Sequence, residues 1–179
     1  MRAFGLLLLV AFIGGCNGKP SIQAVDYDMV SGDTLREWKI RKQKAFLSSE
    51  REAISKYIAR NEWKSQSTGT GLHYEILERK NASSNEAIPG YWVYGRVDVE
   101  LMNGEKIRSQ QGETFGWRFQ KDDRVPLGLH ELVSNMHIGD TARAIFPAHL
   151  ALGMRGDLDQ IPHQSALVYF VRLDSLVQP

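Results

Sequence analysis

The feature that most limits what this chain can become is a change of period at Gly69-Thr70-Gly71. Upstream, from Thr34 to Lys64, there is neither proline nor glycine and helix formers dominate, so the spacing predicts helix. Ser49 followed by Glu52 fits a capping box, with Ala53, Tyr57 and Ile58 on one face and Ile54 beside them. A break near Leu47 to Ser49 is therefore expected to divide the stretch into two helical pieces. Downstream, apolar residues alternate instead. Leu72 to Glu78 reads as a strand, Lys80 to Gly90 as a polar loop, and Tyr91 to Leu101 as a second strand with Val93, Gly95, Val97 and Val99 in alternation. Asn103-Gly104 predicts a type I′ turn into Glu105 to Ser109. Thr114 to Gln120 adds a strand whose Phe115, Trp117 and Phe119 share one face.

The helical period returns once, where Leu129, Leu132, Val133 and Met136 fall at i, i+3, i+4 and i+7 between Leu127 and Met136. Pro126 suits its first turn and Gly139 its stop. Thr141 to Phe146 and Ser165 to Leu176 read as closing strands, and Phe146 to Pro162 between them as a surface flap over an apolar cleft. Many antiparallel strands around one short helix make an α+β domain, here preceded by a helical extension.

At 179 residues, 42% of them hydrophobic, the chain can bury one core and a small appended element. A net charge of +1, with no basic run interleaved with aromatics, argues against a nucleic-acid partner. Met1, Arg2 and the apolar run Leu6 to Ile13 have the layout of an export signal, and eight apolar residues are too few to span a bilayer. Ile13-Gly14-Gly15-Cys16 resembles a bacterial lipobox, in which the cysteine is lipidated and becomes the first mature residue. Cys16 is the only cysteine, so it has no disulfide partner within the chain. The resulting organisation is a lipoprotein signal over 1–16, a tether over 17–34, a helical extension over 35–66 and a folded domain over 67–179. Asn17 after the cysteine is compatible with the outer membrane, so the expected location is the bacterial cell envelope, lipid-anchored and facing the periplasm. Trp38, Phe46 and Trp63 of the extension are expected to dock on the main domain or on a second copy.

Other chemistry finds little support. His130-Glu131 opens like a zinc-protease helix, but Ser134 stands where the second histidine is needed. Asp157 and Asp159 lack a twelve-residue calcium loop, there is no G-x-S-x-G, and His73, His130, His137, His149 and His163 have no ligand spacing. Neither a metal nor a cofactor is expected.

The order of the pieces carries more. A strand ending "LMNG", the segment "ETFGWRF", the helix "PLGLHELVSNMHIGD", the flap "FPAHLALG" and the strand "IPHQSALVYFVRL" together resemble an FKBP-type peptidyl-prolyl isomerase domain from about Gly69 to Val177. The leader "ISKYIARNEW" followed by "TGTGLHYEIL", behind a lipobox, is similar to exported FKBP lipoproteins, including those associated with gliding motility. The resemblance implies a bent antiparallel sheet wrapped on one short helix, with a cleft that holds a proline ring. It implies catalytic roles for Val125, Ile161 and Tyr169, and a substrate-binding lining of Val97, Ile107, Trp117, Phe119, Leu129 and Leu152. Such a cleft needs neither cofactor nor metal: it favours the twisted, less charge-separated amide, while a flap N–H near Ile161 holds the substrate carbonyl.

This chain departs from the family where it has Val97 and Leu152, positions that active members commonly fill with tyrosine, and at Arg108, where they have aspartate. Leu129 replaces a tryptophan, and Val-Pro-Leu-Gly at 125–128 replaces Val-Ile-Pro-Gly. The missing hydroxyl at Leu152 removes a hydrogen bond worth about 1 kcal/mol net. Two readings follow. One is an isomerase that assists the folding of proline-containing exported clients; the other is a degenerate domain that binds peptides as a chaperone or assembly factor. A homodimer through the N-terminal helices is an expected partnership.

Overall fold

Without proline or glycine to interrupt it, the segment Gly32–Arg60 forms one helix, α1, in the computed structural model of the protein. The structure describes residues 32–80, 86–109, 114–153 and 155–179, so Cys16, the signal and nearly all of the tether lie outside the described residues. The expected break at Leu47 to Ser49 does not occur. Ser49 lies inside the helix and its hydroxyl donates back to the Phe46 carbonyl (2.9 Å), one of the ways a serine is accommodated in a helix interior. The helix instead stops at a Schellman motif: Trp63 N–H bonds the Ile58 carbonyl (3.1 Å) and Glu62 N–H the Ala59 carbonyl (3.3 Å). Glu62 supplies the left-handed residue (φ 54°), and the Trp63 ring meets Tyr57 edge-on at 5.5 Å. By its internal contacts the chain divides after Ile40. Residues 32–40 are exposed, Trp38 among them, whereas Phe46 is half-buried and Trp63 buried.

The folded unit from Arg41 onward is built on one antiparallel sheet. Its strands are β1 (Gln66–Ser67), β2 (His73–Glu78), β3 (Trp92–Leu101), β4 (Lys106–Ser109), β5 (Phe115–Arg118), β6 (Thr141–Phe146) and β7 (Leu167–Val177). They lie in the order β1-β2-β6-β7-β3-β4, with β5 also on β3. β5 pairs with the Trp92–Gly95 half of β3 and β4 with the Asp98–Glu100 half. The β3–β7 register shifts between Tyr94 and Gly95, and a Cβ at Gly95 would lie 2.5 Å from the Arg172 carbonyl oxygen, so only glycine fits there. The β3–β4 turn differs from the expected type I′. Asn103 is not in the left-handed region; only Gly104 is (φ 90°), and Leu101 N–H pairs with the Glu105 carbonyl (2.8 Å). The Asn103 side chain accepts the Glu105 N–H (2.9 Å), which suits a three-residue loop closed by a glycine bulge.

Helix α2 (Leu127–Val133) is three residues shorter than the period suggested, because tighter i→i+3 bonds to Asn135 and Met136 replace its last turn. It buries Leu129, Leu132 and Val133 against one sheet face, together with Trp117, Phe119, Phe146, Leu167 and Leu173. The other face carries a smaller cluster of Ile54, Trp63, Ile145 and Val168. Ile145 and Val168 alternate with Phe146 and Leu167, so β6 and β7 are covered on both sides. This is the expected α+β architecture.

Candidate active site

A cavity of about 390 Å³ opens on the α2 side of the sheet. That is the size of a small-ligand pocket. β3 contributes Val97 and Val99, β4 Ile107, β5 Phe115, and the loop into α2 Arg124, Val125 and Pro126. Leu129 comes from α2, Tyr169 from β7, and Leu152, Asp157, Gln160 and Ile161 from the flap. Val97, Ile107, Val125, Leu129, Leu152, Ile161 and Tyr169, expected from the sequence, thus meet around one space.

Trp117 and Phe119 do not line it. They are 0% and 1% exposed and belong to the core behind the cavity. β5 turns Phe115 and Trp117 inward and Phe119 follows in the turn just beyond it, but only Phe115, stacked on Trp117 at 5.4 Å, reaches the cavity. Phe115 stood in the aromatic pattern and Val99 in the β3 alternation, so both were within reach of the sequence. Arg124, Asp157 and Gln160 sit in loops, where no period marks them. Arg108 lies on β4, opposite Val99.

Hydrogen bonds hold the loop that leads into Val125. His130 of α2 accepts the Gln120 N–H at Nδ1 (3.1 Å) and donates from Nε2 to the Asp122 carbonyl (3.0 Å). Its ring also meets Phe119 edge-on at 5.8 Å. Gln120 is in the left-handed region (φ 51°), a backbone form that this histidine helps to secure. Arg124 grips Asp122 with two bonds, Nε to Oδ1 (2.9 Å) and Nη2 to Oδ2 (2.8 Å). The hydrogen bond from Arg124 holds the Asp122 carboxyl below the usual carboxylate range and raises Arg124 in turn. Arg124 therefore brings a charge to the rim that is already matched.

The flap is tied in a similar way. Asp157 Oδ1 accepts the N–H groups of Asp159 (2.9 Å) and Ile161 (2.6 Å), and these backbone bonds hold its carboxyl below the ordinary value. Gly156 is left-handed (φ 65°), and a Cβ there would run into the Ile161 carbonyl. The Ile161 N–H that was expected to receive a substrate carbonyl is thus taken by Asp157. Tyr169 stacks on Phe146 at 4.1 Å and supplies the only phenol among the described lining residues.

The sequence profile of the FKBP-type peptidyl-prolyl cis-trans isomerases matches residues 84–174, just over half of the chain. The fold is similar to that of a peptidyl-prolyl cis-trans isomerase from Pseudomonas syringae pv. tomato, with a TM-score of 0.64 at 20% identity over 75% of this chain and 96% of that one. It is also similar to FkpA from Escherichia coli, with a TM-score of 0.59 at 22% identity over 81% of this chain and 70% of that one. No curated protein matches the sequence. The chain belongs to the FKBP-type peptidyl-prolyl cis-trans isomerases, enzymes that rotate the bond preceding proline.

Proposed function

We propose that the 390 Å³ cavity is where the X-Pro bond rotates, and that the protein does this for clients in the bacterial envelope while anchored by lipid at Cys16. The observation that carries the site is the meeting of seven sequence-expected residues, from β3, β4, β7, α2, the loop before it and the flap, around one space. Amide resonance sets a rotation barrier of roughly 18–20 kcal/mol. Val97, Val125, Leu129, Ile161 and Tyr169 would seat the proline ring and exclude water, which favours the twisted amide over the planar, charge-separated one. The Ile161 N–H stays with Asp157, so the flap would act through the shape that this tie holds rather than through a bond to the substrate carbonyl. Proline steps take tens of seconds uncatalysed, long enough to stall exported chains whose strands are still unpaired. The signal-like N-terminus and the lipobox-like Ile13-Gly14-Gly15-Cys16 support the envelope location, and the exposed start of α1 is the surface on which a homodimer would form.

Val97 and Leu152, apolar where relatives commonly carry phenols, favour a second reading: a cleft that binds proline segments with little turnover. The test measures Asn17–Pro179 in proline-limited refolding of a model protein and on a short proline peptide. Acceleration of both, with a several-fold rise in kcat/KM for Leu152→Tyr, supports the isomerase. Peptide binding with no acceleration supports the second reading. Loss of membrane association and of lipid labelling in Cys16→Ser tests the anchor.

A further inference from the structure

The flap begins with a single helical turn. The Pro147 carbonyl accepts the N–H groups of Leu150 (2.9 Å) and Ala151 (3.1 Å), and the Ala148 carbonyl accepts those of Ala151 (3.2 Å) and Gly153 (2.6 Å). Leu152, which lines the cavity, is therefore enclosed by the bond that joins Ala148 to Gly153. The first N–H groups of any such turn have no partner inside it. Proline has none to offer, so the first orphan is Ala148, which is only 2% exposed. Its partner is Glu50 of α1, 98 residues earlier, whose Oε1 accepts the Ala148 N–H at 2.8 Å.

We propose that Glu50 is a positioning residue of the isomerase: by accepting the Ala148 N–H it fixes the turn that presents Leu152, and so makes α1 part of the cleft's support. Other struts show how the rest of the turn is held. His149 Nε2 lies 3.0 Å from the Thr70 carbonyl, the Thr70 hydroxyl donates to Glu131 of α2 (2.7 Å), and Gly128 N–H bonds the Leu150 carbonyl (2.8 Å). These act on residues 149 and 150; Ala148 N–H has Glu50. Beside it, a second cavity of about 400 Å³, lined by Leu47, Glu50, Thr70, Pro147 and His149 among others, leaves room for the turn to shift once the bond is lost. A buried N–H stripped of its acceptor is costly, so the turn without Glu50 would rearrange to find water or another acceptor. That motion passes through the Ala148–Gly153 bond to Leu152.

The full-length chain, purified in detergent, tests this on a proline peptide. Glu50→Ala is expected to raise KM about fivefold with kcat within twofold, and to speed amide exchange at Ala148 more than tenfold. Glu50→Gln keeps an acceptor oxygen and should stay within twofold of the parent in both. Ala148→Pro deletes the donor at a position where a first turn accepts proline, so Glu50→Ala should change nothing further in that background. The proposal is overturned if Glu50→Ala leaves KM unchanged, if Glu50→Gln falls as far as Glu50→Ala, or if Glu50→Ala is equally harmful beside Ala148→Pro. Should Glu50→Ala alone not fold, recovery of folding by Ala148→Pro supports the tie, and failure of the double variant to fold overturns it. The inference rests on the cavity as the site of rotation; if Val125→Ala leaves turnover unchanged, that assignment falls, while the exchange rate at Ala148 still reads the tie.

Discussion

The two sides of the cavity are held in place by different forces. Val97, Val125, Leu129 and Tyr169 are all at most 6% exposed, and packing fixes them against Trp117, Phe146 and the rest of the core. The flap opposite them is packed at its two ends, through Leu150 and Ile161, but between them Leu152 is 37% and Leu158 85% exposed, and that stretch keeps its shape through backbone groups bonded to Asp157, Glu50 and α2. A packed wall resists small motions because every shift loses many contacts, whereas a tied flap can move when one bond exchanges. At the proposed site the proline ring would meet a fixed surface and the flanking chain an adjustable one.

The largest effect should come from breaking the packed side. Trp117→Ala removes a fully buried indole and should destabilise the protein by roughly 3–5 kcal/mol, on the order of 10 °C in Tm. Trp117→Phe, measured by thermal melting and by peptide KM, should cost far less stability and leave KM within twofold, since the ring lies behind the lining. A KM that rises steeply in Trp117→Phe at unchanged Tm would return Trp117 to the binding surface.

Next in size is the flap's tightest point. Gly156→Ala places a Cβ against the Ile161 carbonyl in a left-handed residue, so the loop must rebuild. Left-handed strain alone costs about 1–3 kcal/mol. Because the flap is tied rather than packed, the expected signature is a drop in Tm smaller than that of Trp117→Ala and a KM raised about tenfold. Equal losses of Tm would show that the flap is packed after all.

This division also explains what the sequence made legible. Burial leaves a period, so β3, β6, β7, α2 and the residues Val97, Val125, Leu129 and Tyr169 were within reach of spacing and resemblance. Ties between distant backbone and side-chain groups leave none. Asp157 stood out only as a carboxylate without a calcium loop, and Arg124 went unnoticed; Glu50 sits 98 residues from the amide it caps. The same blindness produced the false helix break, because Ser49 is as good a donor to the carbonyl behind it as it is a cap. Trp117 and Phe119 erred the other way: the pattern showed which face they take, not how deep in the core they lie.

Asp157→Ala is a gentler cut, since it removes one acceptor and introduces no clash. Peptide KM should rise about threefold with Tm nearly unchanged. Its pH dependence follows from the sign of the shift. Backbone N–H bonds hold the carboxyl below its ordinary value of about 3.8, so the tie is complete above that value and weakens only as pH falls through the lower, folded one. KM should therefore be flat from pH 8 to pH 5 as far as this group is concerned, and Asp157→Asn, which cannot titrate, should remove any rise below about pH 4. A rise already present at pH 5 in the parent and absent in Asp157→Asn would mean that the carboxylate is not held as the structure shows.

The smallest effect separates the cleft from the opposite side of the sheet. His73, on β2 beside Glu50, Arg51 and His149 around the second cavity, has its pKa pushed below 6.5 by burial. The unfolded chain then binds the proton more readily than the folded one, so the contribution of His73 to stability is complete above about pH 6.5 and is lost as pH falls through the lower folded value. Acid between pH 6.5 and 5 should thus lower Tm slightly while the Asp157 tie stays intact, and His73→Gln should flatten that part of the melting profile. Amide exchange would locate the change: faster exchange at His73 and its β6 partner Ile145, with Ile161 unaffected, is the expected pattern. If Ile161 loosened over the same pH range, the two sides of the sheet would be coupled more tightly than Glu50 and Thr70 alone account for.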